Sequence, residues 1–264
     1  MKPDVAARPT DRRPHGLALA NAFTMPVVSP MSVPPPYRYR GCRAVNILFR
    51  TDPGALEPLV PAPLQVDPDQ PSVLYIGHFE LADFDMPYNE AGLLVPVVGK
   101  GMTAGSFAVV LYLDRANPIV GGREVYGWPK KEAEEVLFRD AGTSISAAVT
   151  RYGKRIITVG LEVAQRVAPV PERSATPIYF VKLIPSVQQD APPDVLKLNS
   201  TVITPDVITE LRVGKGHLEF GDSPYDPFLA GIPVREVVYA EAVVHDFTLG
   251  YGEVVVDYQA TPPA

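Results

Sequence analysis

The sequence is poor in the residues that most often announce a function. It has one cysteine, Cys42, four histidines and one tryptophan among 264 residues. A single thiol can neither close an intrachain disulfide nor supply a cysteine-based zinc site, so the chain suits a reducing compartment, and the cytoplasm is the expected location. His15, His78, His217 and His245 stand singly, without a metal spacing such as His-x-x-x-His. Basic charge is also scarce: 24 Lys and Arg face 30 Asp and Glu, for a net charge of −6 and no long basic run. That removes the footprint of a nucleic-acid binder and of a protein drawn to an anionic membrane. No apolar stretch approaches the roughly 18 residues of a membrane span, and Met1 to Pro30 has no apolar core of signal-peptide length. Val98-Gly-Lys-Gly101 is not a phosphate loop, and Ser106 lacks a Gly-x-Ser-x-Gly elbow. Small molecules remain as the expected partners.

What the chain does have is an ordinary globular composition, 46% apolar and 20% charged, and thirty prolines that interrupt its apolar runs. Long helices are therefore disfavoured, and short strands joined by turns are expected. Residues 1–36, ending in Pro34-Pro-Pro36, read as an extended or poorly ordered arm, and 37–264 as one domain. Strand-like segments run over Ala44–Phe49, Ser72–Phe79, Leu93–Val98, Ser106–Leu113, Ser144–Arg151 and Lys154–Val163. They continue over Ile178–Ile184, Val195–Ile203, His217–Phe220, Val234–Phe247 and Gly252–Tyr258. Tyr152-Gly-Lys154 predicts a tight hairpin. Helical signals are confined to Asp52–Leu59 and to the segment around Lys130–Val136, and 164–177 reads as a surface loop. The absence of regular βαβ alternation argues against a doubly wound dinucleotide fold.

The chemistry concentrates in Gly121-Gly-Arg-Glu-Val-Tyr-Gly-Trp-Pro-Lys-Lys131. Two adjacent lysines follow Pro129 and the lone Trp128. A lysine becomes a nucleophile when an apolar pocket desolvates it or a second cation stands beside it, and both devices are available here. From these residues alone a second reading is open, in which Lys130 and Lys131 are solvated charges on the first turn of a helix, offset by Glu132, Glu134 and Glu135.

Gly122-Arg-Glu-x-x-Gly-x-Pro-Lys-Lys131 resembles the signature of the acetoacetate decarboxylase family. The likeness extends through Asn46-Ile-Leu-Phe-Arg-Thr-Asp52, Val60-Pro-x-Pro-Leu64, Tyr88-Asn-Glu90, Tyr112-Leu-Asp114, Tyr179-x-x-Lys182-x-x-Pro185 and Asp257-Tyr258. It implies a mainly β, α+β fold: a single domain with a mostly antiparallel, cone-like or barrel-like sheet and a few short helices. It also implies that Lys130 forms a Schiff base with a β-keto acid and releases carbon dioxide. Acetoacetate decarboxylase is itself the standard example of a lysine activated in this way, so the expectation is inherited with the resemblance. Lys131 is then the neighbouring cation, although the resemblance also allows it to point away, leaving desolvation as the larger effect. Glu90 matches an acidic residue near the imine. Arg43, Trp128, Tyr126 and Tyr258 are the expected substrate contacts. No metal, nicotinamide, flavin or pyridoxal cofactor is needed by this route, and a homo-oligomer is implied.

The sequence departs from the family pattern in two places. The arginine expected four residues before Asn46 is replaced by Cys42, with Arg40 and Arg43 nearby; on a strand, Arg43 takes its place only if the backbone bulges or the register shifts. A second carboxylate, expected at Ile76 or Gly77, is missing, with Glu80 further on. These departures favour a homologue larger than acetoacetate, or a different imine chemistry. Aldol condensation with dehydration of a pyruvate-like acid, with Tyr258 taking part, and a non-catalytic ligand-binding barrel are the other readings.

Overall fold

The computed structural model describes residues 22–82, 86–168 and 175–260. One sheet of fourteen strands dominates it. The first strands are β1 (Tyr37–Arg50), β2 (Leu64–Val66), β3 (Ser72–Leu81), β4 (Met86–Gly99), β5 (Gly105–Leu113), β6 (Lys130–Glu132) and β7 (Glu135–Asp140). Then come β8 (Ser144–Arg151), β9 (Lys154–Arg166), β10 (Pro177–Ile184), β11 (Val195–Val202), β12 (Pro205–Phe220), β13 (Glu236–Leu249) and β14 (Glu253–Asp257). The helices are α1 (Pro53–Leu56), continued by a 3-10 turn to Leu59, and α2 (Ala116–Gly121), continued by a π-helical turn at Gly122–Tyr126.

The hydrogen-bonded path runs β14-β11-β10-β5-β4-β3-β1-β13-β12-β9-β8-β7. Among the described residues only β5–β6 and β5–β10 are parallel pairs. The mainly antiparallel, helix-poor fold is as expected, but the sheet is not a closed barrel: its path ends on β7 and β14. It folds back so that β7 lies against β3, β4 and β5 without pairing with them. The predicted hairpin is present, with Arg151 opposite Lys154 and both Tyr152 (φ 48) and Gly153 (φ 71) in the left-handed region.

Two expectations are corrected. The residues around Lys130–Val136 form β6 and the start of β7, not a helix. Pro129 and the acidic run meet the local requirements of a helix start, but the free edge of β5 offers backbone partners, beginning with Leu111 N–H to Pro129 O at 3.0 Å. Non-local pairing therefore overrides local propensity. The 164–177 loop is shorter than expected because β9 runs to Arg166; residues 169–174 lie outside the described part. In the arm, residues 1–21 also lie outside it. Residues 22–36 carry no regular element; Thr24 Oγ1 donates to Ser32 O at 3.2 Å within the arm, and Tyr37 Oη, at the start of β1, donates to Val33 O at 2.6 Å.

Because side chains alternate along a strand, the sheet has two distinct faces. One carries the main core, including Val45, Ile47, Leu74, Ile76, Leu93 and Tyr112. The other carries a second apolar cluster of Tyr39, Cys42, Phe79, Tyr88, Leu111 and Phe247, joined by Trp128. The motif lysines fall on this division.

Candidate active site

Lys130 is placed by register. β6 runs beside β5 with Lys130 opposite Leu111. The row continues through Gly92 on β4, Tyr75 on β3, Asn46 on β1 and Glu241 on β13. All project from the face of the second cluster. Gly92 has a steric purpose here: a Cβ would stand 2.3 Å from Tyr75 Cε1, so only glycine lets the phenol lie across β4. Tyr75 Oη thereby donates to Glu90 Oε1 at 2.6 Å.

Glu90, two residues before Gly92 and thus on the same face, brings Oε2 to 2.9 Å from Lys130 Nζ. Both residues are nearly enclosed, at 8% exposure for Lys130 and 6% for Glu90. The contact is a close charge pair whose angles fall outside hydrogen-bond geometry, so Glu90 Oε2 has no hydrogen-bond donor of its own. The ammonium also stands 5.7 Å from the centre of the Tyr88 ring. Burial first, and then the Glu90 charge, pushes the Tyr75 phenol well above its usual value, which keeps it a donor.

Lys131 points the other way. A strand cannot direct consecutive side chains to one face, so Lys131 enters the main-core side and pairs with Asp226. Asp226, 1% exposed, also takes Arg151 and the Tyr112 hydroxyl, the latter at 2.9 Å. Burial alone would raise the Asp226 carboxyl, but these three donors hold it below the usual carboxylate range. Lys131 is therefore not a cation beside Lys130, whose amine is left with Glu90 and the apolar walls around it.

The turn before β6 forms a cradle for the amine. At Gly122 a Cβ would meet Lys130 Cδ at 2.6 Å and Cε at 2.8 Å, so the lysine lies directly on the glycine backbone. Gly127, at φ 96, ends the turn in a conformation that favours glycine. Arg123 Nη1 donates to Lys130 O at 3.1 Å, Lys182 Nζ to Val125 O at 3.0 Å, and Asn199 Nδ2 to Tyr126 O at 2.8 Å. Tyr126 packs edge-on to Tyr37 and donates to Gly250 O at 2.8 Å, while Trp128 packs on Phe180 with ring centres 4.2 Å apart.

Two chambers meet at Lys130, sharing Tyr39, Trp128, Lys130 and Leu249 in their walls. The smaller, about 60 Å³, is lined by Tyr126, Gly122 and Met31 of the arm. The larger, about 210 Å³, holds Glu90, Tyr75 and Asn46. Of the expected site residues, Lys130, Glu90, Trp128 and Tyr126 thus converge. Arg43 and Tyr258 do not line either chamber. The backbone does bulge between Tyr39 and Arg43, with Gly41 at φ 63, but the bulge turns Cys42 inward and leaves Arg43 exposed. Arg40 pairs with Asp206 at 2.9 Å. Tyr258, 37% exposed, donates to Ala62 O. Gly77 cannot be exchanged for a carboxylate in this backbone, since a Cβ would stand 2.7 Å from Arg43 O. Tyr75, Tyr88, Asn46 and Arg123 were not singled out from sequence. The signal for Tyr75 and Tyr88 was alternation in phase with Glu90 across the β3–β4 pair. Among the described residues no group of three or more His, Cys, Asp or Glu is gathered for a metal ion.

An antiparallel sheet thus holds a lysine against a carboxylate at the wall of an apolar cavity. The family model described as acetoacetate decarboxylase matches residues 24–259. The acetoacetate decarboxylase of Paraburkholderia xenovorans (strain LB400) is 35% identical over 254 residues, 93% of this chain and 96% of that relative. A solved structure described as structural studies of acetoacetate decarboxylase superposes with a TM-score of 0.80 at 25% identity, covering 91% of this chain and 97% of the other. The enduracididine biosynthesis enzyme MppR complexed with pyruvate shares the fold, with a TM-score of 0.76 at 19% identity over 90% of this chain and 98% of its own. The chain belongs to the acetoacetate decarboxylase family.

Proposed function

We propose that the protein is a carboxy-lyase that decarboxylates a β-keto acid through an imine on Lys130. The observation that carries this reading is the enclosed contact of Lys130 Nζ with Glu90 Oε2 at 2.9 Å. Tyr75 occupies Oε1, which leaves Oε2 as the oxygen that exchanges protons with the amine. Glu90 takes a proton from Lys130, and the free amine attacks the ketone carbon. The carbinolamine oxygen then leaves as water with a proton returned by Glu90. In the iminium, the bond between the α-carbon and the carboxylate breaks. Carbon dioxide departs, and the bonding electron pair moves through the carbon framework to neutralise the iminium nitrogen. Protonation of the enamine carbon and hydrolysis return the ketone product and the amine. The apolar walls favour this step because charge is lost as the carboxylate leaves.

Aldol condensation with dehydration uses the same lysine, but the version that employs Tyr258 is not supported, because that phenol is bound to Ala62 O away from both chambers. A cytoplasmic location is supported by the single, buried, unbridged thiol of Cys42. No helix among the described residues is long and apolar enough to cross a membrane. Self-association is supported by the exposed apolar side chains Phe23, Met25, Val28 and Val33 of the arm. The test of the chemistry is borohydride reduction with acetoacetate or pyruvate present, followed by peptide mass spectrometry. A reduced adduct on Lys130, absent in Lys130→Ala, is expected; no adduct with any keto acid would leave a binding role.

A further inference from the structure

Resting on the imine reading, we infer that the larger chamber selects a β-keto acid whose non-reacting end is a bulky apolar group, an aryl ring or a chain of several carbons, and that acetoacetate underfills it. The chamber is polarised. Its reacting end gathers Lys130, Glu90, Tyr75 and Asn46, whose Nδ2 is held by Glu241 Oε1 at 2.9 Å. Beyond Glu90 the neighbouring row is Gly77 on β3, Ala44 on β1 and Val243 on β13. These side chains are too small to fill the space above them. The backbones of β1 and β3 are so close at Gly77 that no larger residue fits there.

The walls around that low floor are aromatic and aliphatic. Phe79, Phe247 and Tyr39 pack together, with Phe247 stacked on Tyr39 at 4.4 Å, and Ile178, Ile203 and Leu94 add aliphatic lining. His245 also lines this end and packs on Phe247 with ring centres 5.3 Å apart. Among the described lining residues Lys130 is the one ammonium, and no guanidinium is present. A second carboxylate on the substrate would thus find no arginine or second lysine there, whereas an apolar group gains by leaving water. The volume agrees: an apolar cavity of about 150 Å³ takes up benzene, and this chamber is about 210 Å³. The smaller chamber, about 60 Å³, suits the lesser substituent of the ketone.

The experiment compares carbon dioxide release from acetoacetate, 3-oxohexanoate and 3-oxo-3-phenylpropanoate, each corrected for the enzyme-free rate and each paired with borohydride trapping. The larger acids are expected to exceed acetoacetate in kcat/KM by about tenfold or more. Val243→Phe raises the floor and Ile203→Trp narrows the side wall, and each is expected to lower the ratio of phenyl substrate to acetoacetate by about tenfold. The ratio is taken within each variant, and the acetoacetate adduct on Lys130 reports that the variant is folded. Trapping on Lys130 with acetoacetate preferred overturns the inference while the imine reading stands. No adduct with any of the three overturns both.

Discussion

Strand β6 presents the same side chain to two environments one residue apart. Lys130 lies in a cavity of aromatic and aliphatic walls with one carboxylate in reach, and that carboxylate leaves an oxygen free to work. Lys131 lies against Asp226, whose oxygens are fully engaged by Lys131, Arg151 and Tyr112. The difference is one of saturation: around Asp226 the charges are hydrogen-bonded on every side, whereas in the apolar enclosure Glu90 Oε2 has no hydrogen-bond donor of its own.

Substitution on either side sharpens that contrast. Lys130→Ala is expected to abolish both turnover and the borohydride adduct, and, because it leaves the enclosed Glu90 carboxylate without its cation, to lower the unfolding temperature as well. Glu90→Gln keeps the size but removes the proton acceptor, and its kcat should fall by about 100-fold to 1,000-fold; a variant that retains most of its kcat would show that proton transfer does not use this residue. Across the sheet, Asp226→Asn leaves two cations facing a neutral amide and should cost about 3 kcal/mol of stability. The folded fraction should still form the Lys130 adduct at the normal rate, and loss of the adduct without loss of stability would erase the distinction between the faces. Gly122→Ala pushes on the lysine stem and should lower kcat by about tenfold with little change in KM.

The faces should also differ in pH dependence. On the cavity side, burial above all pushes the Cys42 thiol up to about 11. The folded protein holds that proton more tightly than the unfolded chain does. This contribution to stability is therefore complete below about pH 9 and declines as the pH rises toward 11, and Cys42→Ser should flatten that slope. Asp226 is lowered, so its contribution is present above the usual carboxylate range and is lost as pH falls through it. Asp226→Asn should remove that part of the acid transition, measured as the unfolding midpoint against pH.

Much of the sheet was legible because alternation and β-branched content are local properties: β8, β10 and β11 lie close to where the pattern put them. The β6 segment was misread because Pro129 and three nearby glutamates satisfy a helix start, while the partner that makes it a strand, Leu111, is a remote residue along the chain. The split between the lysines was legible only through the resemblance, which allows Lys131 to point away, because the strand alternation that produces it was not expected there. Lys130 and Glu90 were legible only through a motif. Asn46 and Tyr75 join them by register across β1, β3 and β4, which no single segment encodes. The bulge at Gly41 decided which of Cys42 and Arg43 faces inward, and its position depends on pairing with β3 and β13.

Most of the apolar lining of the larger chamber comes from strands other than the one that carries Lys130. Val243 comes from β13, Ile178 from β10, Ala44 from β1 and Ile203 from the segment after β11, while the lysine rests on its own turn and is tied down by Arg123, Lys182 and Asn199. A substitution at one of these lining positions can therefore reshape the chamber while Lys130 keeps its place on the turn.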